Sequence, residues 1–324
     1  MERLGYRAFH GRQLYAWIYR KNALSFDEMT DLSKNLRGEL KESFLLGFPK
    51  VLKQVTGERA DSATKFLFEL QDGARVETVF IPAEDRNTVC LSCQVGCAFG
   101  CTFCATGEMG LIRNMTAEEI IGTFLVVRAK VSPARLSNVV FMGMGEPLVN
   151  LPQVMKAWQC LVDPDGISLS HRKVTLSTIG IPKKIHELAQ LEYPPKLVVS
   201  IGSMDEERRR QLLPIAGRYS LKELHLSLEL YALHTRNRIT IAFLIAEGLN
   251  DTVEDARKLH RWIGSLPVKV NLLRYNEASG GFSPPDEIKV EQVAAELVRL
   301  GRTVVLRNSR GRDISAACGQ LATK

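Results

Sequence analysis

The sequence predicts an α/β protein, an open partial barrel of six βα units preceded by a small helical domain. Three observations lead there. From residue 88 onward, short β-rich runs alternate with helical stretches, the pattern of a parallel sheet. Residues 1–50 place apolar side chains at helical spacing. A tight cysteine triplet, Cys97, Cys101 and Cys104, follows the first strand of the alternation, and barrel and open α/β folds place their sites at such C-terminal strand ends.

In residues 1–50, Leu14, Trp17 and Ile18 fall on one helical face. A turn at Ser25-Phe26-Asp27 follows, then Leu32, Leu36 and Leu40 on another face. Arg20, Lys21, Lys34 and Arg37 decorate the opposite sides, so a basic helical module is expected. Residues 51–87 read as an extension. Within it T-K-F-L-F-E-L-Q-D-G-A-R-V-E-T-V-F-I alternates apolar and polar residues around Asp72-Gly73, a hairpin signature.

Residues 88–324 hold the barrel, with strands expected at Val89–Leu91, Asn138–Met142, Lys173–Ser177, Lys196–Ile201, Arg238–Ile245, Val268–Leu273 and Thr303–Arg307. Between them come helical stretches such as 116–130, opened by the capping box Thr116-x-x-Glu119.

The 324 residues, 45% hydrophobic, are enough for one large core and a smaller one. No apolar run approaches the ~20 residues of a membrane span, and M-E-R-L-G-Y-R has no signal-like apolar region. A cytoplasmic protein without a membrane partner is expected. The formal net charge of +7 favours a polyanionic partner, although a basic enzyme with solvated charges accounts for it equally well.

The triplet, C-A-F-G-C-T-F-C from Cys97, puts three thiolates in one short loop. A 4Fe-4S cluster takes one thiolate per iron, so three leave one iron open for a ligand. Structural zinc competes, but it wants four ligands and the six histidines all lie far along the chain. A distant histidine folding back would complete such a site. Clustered cysteines without a secretory signal argue against disulfide staples.

Other polar groups also follow strands. Gly143-Met144-Gly145-Glu146-Pro147 combines close backbone approach with a carboxylate that can accept from an ammonium group. Ser177-Thr178 and Ser200-Ile201-Gly202 place small hydroxyls at strand ends, which on their own read as turn-bonding serines. Asn276 would cap a loop or read a base through its amide. Near the C-terminus, the arginine-rich stretch Arg307 to Ile314 leads to Cys318 in A-A-C-G-Q. That cysteine is an inert small hydrophobe or, with arginines near, a thiol of lowered pKa.

The C-x3-C-x2-C spacing with Phe103 before the last cysteine resembles the cluster loop of the radical S-adenosylmethionine superfamily. The strings C-L-S-C-Q-V-G-C, F-M-G-M-G-E-P-L-V-N, L-L-P-I and D-I-S-A-A-C-G-Q-L extend the match. Together with the N-terminal W-I-Y-R and F-D-E-M-T-D-L-S-K, they resemble the RlmN/Cfr family of RNA adenine methyltransferases over nearly the whole chain.

The resemblance implies a partial barrel of the radical S-adenosylmethionine type, with Cys97, Cys101 and Cys104 holding a 4Fe-4S cluster and two S-adenosylmethionine molecules used per turnover. It implies cofactor contacts at Gly145, Glu146, Ser177, Ser200, Ile201, Gly202 and Asn276. Cys318 would carry the methyl group, Cys90 would release the product by forming a disulfide with Cys318, and Glu77 would be a proton acceptor. The implied partners are large-subunit ribosomal RNA and, for some members, tRNA, with a flavodoxin- or ferredoxin-like electron donor and a monomeric chain. The helical module would bind RNA, and the arginine-rich segment would face its phosphates.

Two positions depart from the family pattern. Cys93 stands where serine is usual, and Ser200-Ile201-Gly202 replaces Ser-Leu-His. The Gly202 departure keeps open carbon 8 of adenine, rather than carbon 2, or another RNA. A non-catalytic iron-sulfur or zinc RNA-binding protein is the reading from another class.

Overall fold

Local spacing builds the N-terminal module of the computed structural model, which describes residues 1, 5–58, 62–276, 281–307 and 310–323. Helix α1 (Ala8–Tyr15) runs into a π-turn, a 3-10 turn follows at Phe26–Glu28, and α2 (Lys34–Ser43) closes the module. The Ser33 side chain caps α2 by accepting from the Leu36 amide at 3.2 Å. Leu32, Leu36 and Leu40 bury against Phe26 and Met29 in a core separate from the main one.

Strands β1 (Lys50–Thr56), β2 (Thr64–Glu69) and β3 (Arg75–Pro82) form an antiparallel meander. The turn at Asp72-Gly73 is closed by Leu70 N donating to Ala74 O at 2.8 Å and Ala74 N donating to Asp72 Oδ1 at 3.1 Å. β3 then pairs antiparallel with β4 (Asn87–Cys90). The 51–87 extension therefore continues the main sheet as its antiparallel edge.

After β4 the chain forms a small antiparallel arch, β5 (Gln94–Gly96) and β6 (Leu111–Asn114), with the one-turn helix α3 (Ala105–Glu108) between them. Then α4 (Ala117–Lys130) leads to β7 (Asn138–Phe141), α5 (Leu151–Val162) to β8 (Val174–Thr178), and α6 (Pro182–Ala189) to β9 (Lys196–Ser200). Helices α7 (Glu206–Leu212) and α8 (Leu221–Thr235) precede β10 (Ile239–Ile245). Finally α9 (Val253–Ile263), β11 (Val268–Arg274), α10 (Glu287–Arg299) and β12 (Val304–Arg307) complete the series.

The ten-stranded sheet runs β1-β2-β3-β4-β7-β8-β9-β10-β11-β12. From β4 onward every pairing is parallel. The crossovers through α4, α5, α6, α8, α9 and α10 make the six expected βα units, with β12 as a closing strand. Every strand expected in this region is present, shifted by at most two residues at either end.

Alternation along the strands separates two environments. Val89, Val174, Leu176, Leu197 and Val199 join the core, whereas Thr88, Cys90, Ser177 and Ser200 line cavities. The period-two pleat thus sends apolar residues one way and reactive or polar ones the other. The helical module is tied on by Tyr15 Oη donating to Asp163 at 2.6 Å and Arg20 donating to the Pro164 carbonyl at 3.0 Å. No helix among the described residues is long and apolar enough to cross a membrane.

The capping box at α4 is complete. Glu119 N donates to Thr116 Oγ1 at 3.3 Å, and Thr116 N donates to the Glu119 carboxylate at 2.9 Å. Thr116→Ala is expected to cost about 1 kcal/mol. Denaturant midpoints check this, and an unchanged midpoint would show that the cap contributes nothing.

Candidate active site

The cysteine loop is fixed from both sides. Within it, Cys97 N donates to Gly110 O at 3.0 Å and Cys104 N to Cys101 O at 3.0 Å. From outside, Thr102 donates through its amide to Leu212 O at 3.2 Å and through its hydroxyl to Gln211 O at 3.0 Å, at the end of α7. These contacts turn Cys97, Cys101 and Cys104 toward one cleft of about 1060 Å³.

The donor set suits an iron-sulfur cluster. Burial pushes the Cys97 thiol up to about 11 and raises that of Cys101, so the thiolates need a cationic centre to form. Among the described residues no three His, Cys, Asp or Glu side chains gather around a single ion position. A cluster takes its thiolates on separate irons, and no histidine lines the cleft.

Glu146 faces the same cleft from the β7 strand end. Its Oε1 accepts from Leu148 N and its Oε2 from Ile179 N, both at 3.0 Å. These bonds favour the charged carboxylate, but burial outweighs them and raises its pKa to about 7. Gln94, which nothing in the sequence pattern singled out, accepts from Glu146 N at 2.8 Å and donates to Asn114 at 2.7 Å.

The remaining expected cofactor contacts divide. Gly145, Ser177, Ser200, Gly202 and Asn276 line the cleft. Neither the Ser177 nor the Ser200 hydroxyl bonds a described neighbour, so the turn-bonding role expected of an isolated serine is not the one taken. Ile201 does not line the cleft. Its side chain is fully buried in the main core, leaving only its backbone near the site. Gly202 sits at φ 77°, and a Cβ there would stand 3.1 Å from Leu213 Cδ1. That backbone conformation favours glycine, a physical account of a missing side chain at this strand end.

Asn276 serves the chain itself. Its Nδ2 donates to the Cys318 carbonyl at 3.1 Å, and its Oδ1 accepts from Arg312 Nε at 2.7 Å. The C-terminal segment also docks directly on the cysteine loop. Ala105 N donates to Gly319 O at 2.7 Å and Thr106 Oγ1 to Leu321 O at 2.6 Å. Gly319, at φ 87°, passes so close that a Cβ would lie 2.6 Å from Phe103 O. Asn308 and Ser309 of the arginine-rich stretch lie outside the described residues.

Cys318 is open to two cavities. One is the cysteine cleft, and the other is a space of about 1420 Å³ lined by Cys90, Met142, Arg86, Arg307 and Arg310 among others. Cys318 is exposed to these cavities, yet desolvation by the protein packed around it raises its thiol more than Arg307 lowers it, which favours the unreactive form of the two anticipated for this cysteine over a lowered pKa. Cys90 is buried beside it with a raised pKa, and both cysteines are free thiols. Cys93 lies in the core with its Sγ 3.6 Å from Met144 O, outside both cavities.

Glu77 is fully buried on β3 but faces neither cavity. Its carboxylate pairs with Lys65 at 3.0 Å and accepts from Ala322 N at 2.9 Å. The structure thus places Glu77 under the C-terminal segment rather than at the cavity surface with Cys90.

Comparison with known proteins gives a consistent result. Residues 1–46 match the ribosomal RNA large subunit methyltransferase N-terminal domain, and residues 91–263 match the Radical SAM superfamily. A protein of Nitratidesulfovibrio vulgaris strain DP4 named dual-specificity RNA methyltransferase RlmN is 44% identical over 331 residues, covering 98% of this chain and 90% of the relative. One of the same name from Geotalea uraniireducens strain Rf4 is 42% identical, covering 98% and 91%. The crystal structure of a radical SAM methyltransferase from Sphaerobacter thermophilus superposes with a TM-score of 0.95 at 37% identity, covering 100% of this chain and 96% of that one.

Two expectations follow from the geometry. Gly319→Ala strains the backbone by about 1–3 kcal/mol and forces a methyl group toward Phe103 O, so alkylation of Cys318, mapped by peptide mass, is expected to accelerate; an unchanged rate counts against the close approach. Glu146 keeps its proton in the folded chain up to about pH 7, whereas its ordinary value is 4.5. Its stabilising contribution, about 3 kcal/mol, is full below pH 4.5 and lost as pH rises to 7. Glu146→Gln should remove that slope from stability measured against pH.

Proposed function

This chain belongs to the RlmN family of radical S-adenosylmethionine RNA methyltransferases, and from that membership we propose that it methylates an adenine ring carbon, carbon 2, in large-subunit ribosomal RNA and tRNA. The observation that carries the mechanism is the position of Cys318 on the wall shared by two cavities. One cavity holds the groups for a cluster and a sulfonium cofactor. The other is basic and holds the second cysteine.

Cys97, Cys101 and Cys104 would hold a 4Fe-4S cluster, which with S-adenosylmethionine bound supplies a 5′-deoxyadenosyl radical that abstracts an unactivated hydrogen. In this reading Glu146 accepts the cofactor's ammonium group, which returns the carboxyl to its charged form. Ser177, Ser200 and the backbone at Ile201-Gly202 meet its ribose and carboxylate. The Asn276 amide, held by Arg312 and Cys318, borders the adenine side.

An adenine ring carbon is a poor nucleophile toward a sulfonium, so the methyl group travels by way of a protein sulfur. Cys318 gives up its proton and takes the methyl group of one S-adenosylmethionine, and a second molecule is consumed for the radical, making two per turnover. Hydrogen abstraction from the S-methyl group leaves a methylene radical on Cys318 that adds to the ring. The ring-adduct radical would return one electron to the oxidised cluster and give its ring proton to the Cys90 thiolate. Once that proton has moved on, the Cys90 sulfur forms a disulfide with the Cys318 sulfur, and the electron pair of the breaking carbon-sulfur bond stays on the methylene carbon, which takes a proton to become the methyl group. Cys90 thus serves as proton acceptor and as disulfide partner. Its place on the cavity wall supports this over Glu77, which is paired with Lys65.

The target base has to leave its stack to enter the second cavity, where Arg86, Arg307 and Arg310 suit its phosphates. We place the chain in the cytoplasm as a monomer, with a flavodoxin- or ferredoxin-like donor renewing the electron.

Cys318→Ala is expected to cut methyl transfer to background while S-adenosylmethionine is still cleaved to 5′-deoxyadenosine. Cys90→Ala should instead accumulate RNA covalently attached at Cys318. Nucleoside mass spectrometry of treated ribosomal RNA and tRNA reads both, and locates the methyl at carbon 2 or carbon 8. Full methylation by Cys318→Ala would sink the route.

A further inference from the structure

A third cavity, which shares no lining residue with the other two, lies where the N-terminal module meets the end of α4. It measures about 1130 Å³ and is lined by Arg20, Lys21, Asn22, Arg128 and Arg135, with no acidic residue in its wall among the described residues. Two of these cations come from the module and two from the barrel. Helix α4 is fourteen residues long, about 21 Å, and the cleft is lined by its C-terminal half.

Arg128 forms the floor. Its guanidinium donates to Asn22 Oδ1 at 2.9 Å and to Tyr19 O at 2.8 Å. These are neutral acceptors, so its charge is not cancelled. Burial lowers its pKa to about 10, which leaves it cationic at neutral pH. Lys21 is matched by Asp31 at 3.3 Å, and among the described residues Arg20 reaches only the Pro164 carbonyl. The negative end of the α4 dipole accounts for a cation at Arg128. It does not account for Arg20, which belongs to another element, or Arg135, which lies beyond the helix.

The cleft also connects to the site. Asn87 Nδ2 donates to the Arg135 carbonyl at 3.1 Å, and its neighbour Arg86 lines the basic cavity that holds Cys318. Arg86 pairs with its exposed neighbour Asp85 at 2.8 Å. The Asn87 bond sets Arg86 of the basic cavity and Arg135 of the cleft on chain segments that touch.

We propose that this cleft is a phosphate-binding subsite for the RNA substrate, gripping the backbone away from the target adenine between the helical module and the barrel. The inference rests on RNA being the substrate and adds where its stem is held. Arginine suits the role because its planar fork offers paired donors to phosphate oxygens. The subsite reads no base, so it positions a helical stem while the loop nucleotide enters the barrel.

The test uses the full chain and a stem-loop RNA with an unpaired loop adenine, with binding followed against salt. Arg20→Glu/Arg135→Glu is expected to weaken binding roughly tenfold or more and to lower the slope of log K against log[salt] by about 2. Lys183→Glu/Lys222→Glu, an equal charge change on the outer faces of α6 and α8, controls for net charge. A loop-only oligonucleotide, too short to reach the cleft, should not distinguish the two variants.

Both Arg20 and Arg135 are exposed, so cleavage of S-adenosylmethionine without RNA should stay at the wild-type level. If charge reversal unfolds the chain, Arg20→Gln/Arg135→Gln should still lower the slope. A slope and affinity equal to the control's would overturn the subsite. Binding along the cleft without methylation would instead overturn the proposed activity, so the two failures are distinct.

Discussion

The site depends on the close passage of the Cys318-Gly319 turn over the cysteine loop. Two hydrogen bonds from the loop, Ala105 N to Gly319 O and Thr106 Oγ1 to Leu321 O, hold the two segments together across more than two hundred residues of chain. Only a residue without a Cβ fits between the turn and Phe103 O. Asn276 and Glu77 add further anchors, one on the Cys318 carbonyl and one on the Ala322 amide. The segment has little secondary structure of its own, so these contacts decide where the Cys318 sulfur stands.

That position divides the barrel interior chemically. On one side, burial shifts the thiols and the Glu146 carboxyl toward their neutral forms until a charged group arrives. Such a cavity is prepared for a cationic cluster and an ammonium-bearing cofactor rather than for water. On the other side, arginines gather around Cys90 and Cys318, a surrounding suited to a polyanion. One sulfur facing both spaces can carry a carbon between them, which a sulfur confined to either could not.

Much of the fold was legible because it rests on local regularities. Strand periodicity located the parallel strands, and the capping box at Thr116 started α4 where expected. Register and sheet membership were not legible. The hairpin around Asp72-Gly73 read correctly as a hairpin, yet its place between β1 and β4 arises from pairing that no local pattern specifies. Gln94 was missed because a glutamine directly after a cysteine has no distinctive pattern. Its part appears only when β5 brings it against the Glu146 amide. Ile201 was included as one of three consecutive strand-end residues, but strand alternation sends its side chain into the core.

The sequence by itself determined the candidate metal-binding loop, the strand-helix alternation and the candidate carboxylate at Glu146, since each depends on residue type and short spacing. It also supplied Cys318 and Cys90 as chemically distinct from the triplet, through their resemblance to a family. The tertiary structure alone decided that Cys90, not Cys93, shares a cavity with Cys318. It also placed Glu77 on Lys65 beneath the C-terminal segment, and packed protein around the exposed Cys318 thiol closely enough for desolvation to outweigh Arg307. Those outcomes turn on which groups exclude water from which atoms, a property of packing between distant segments.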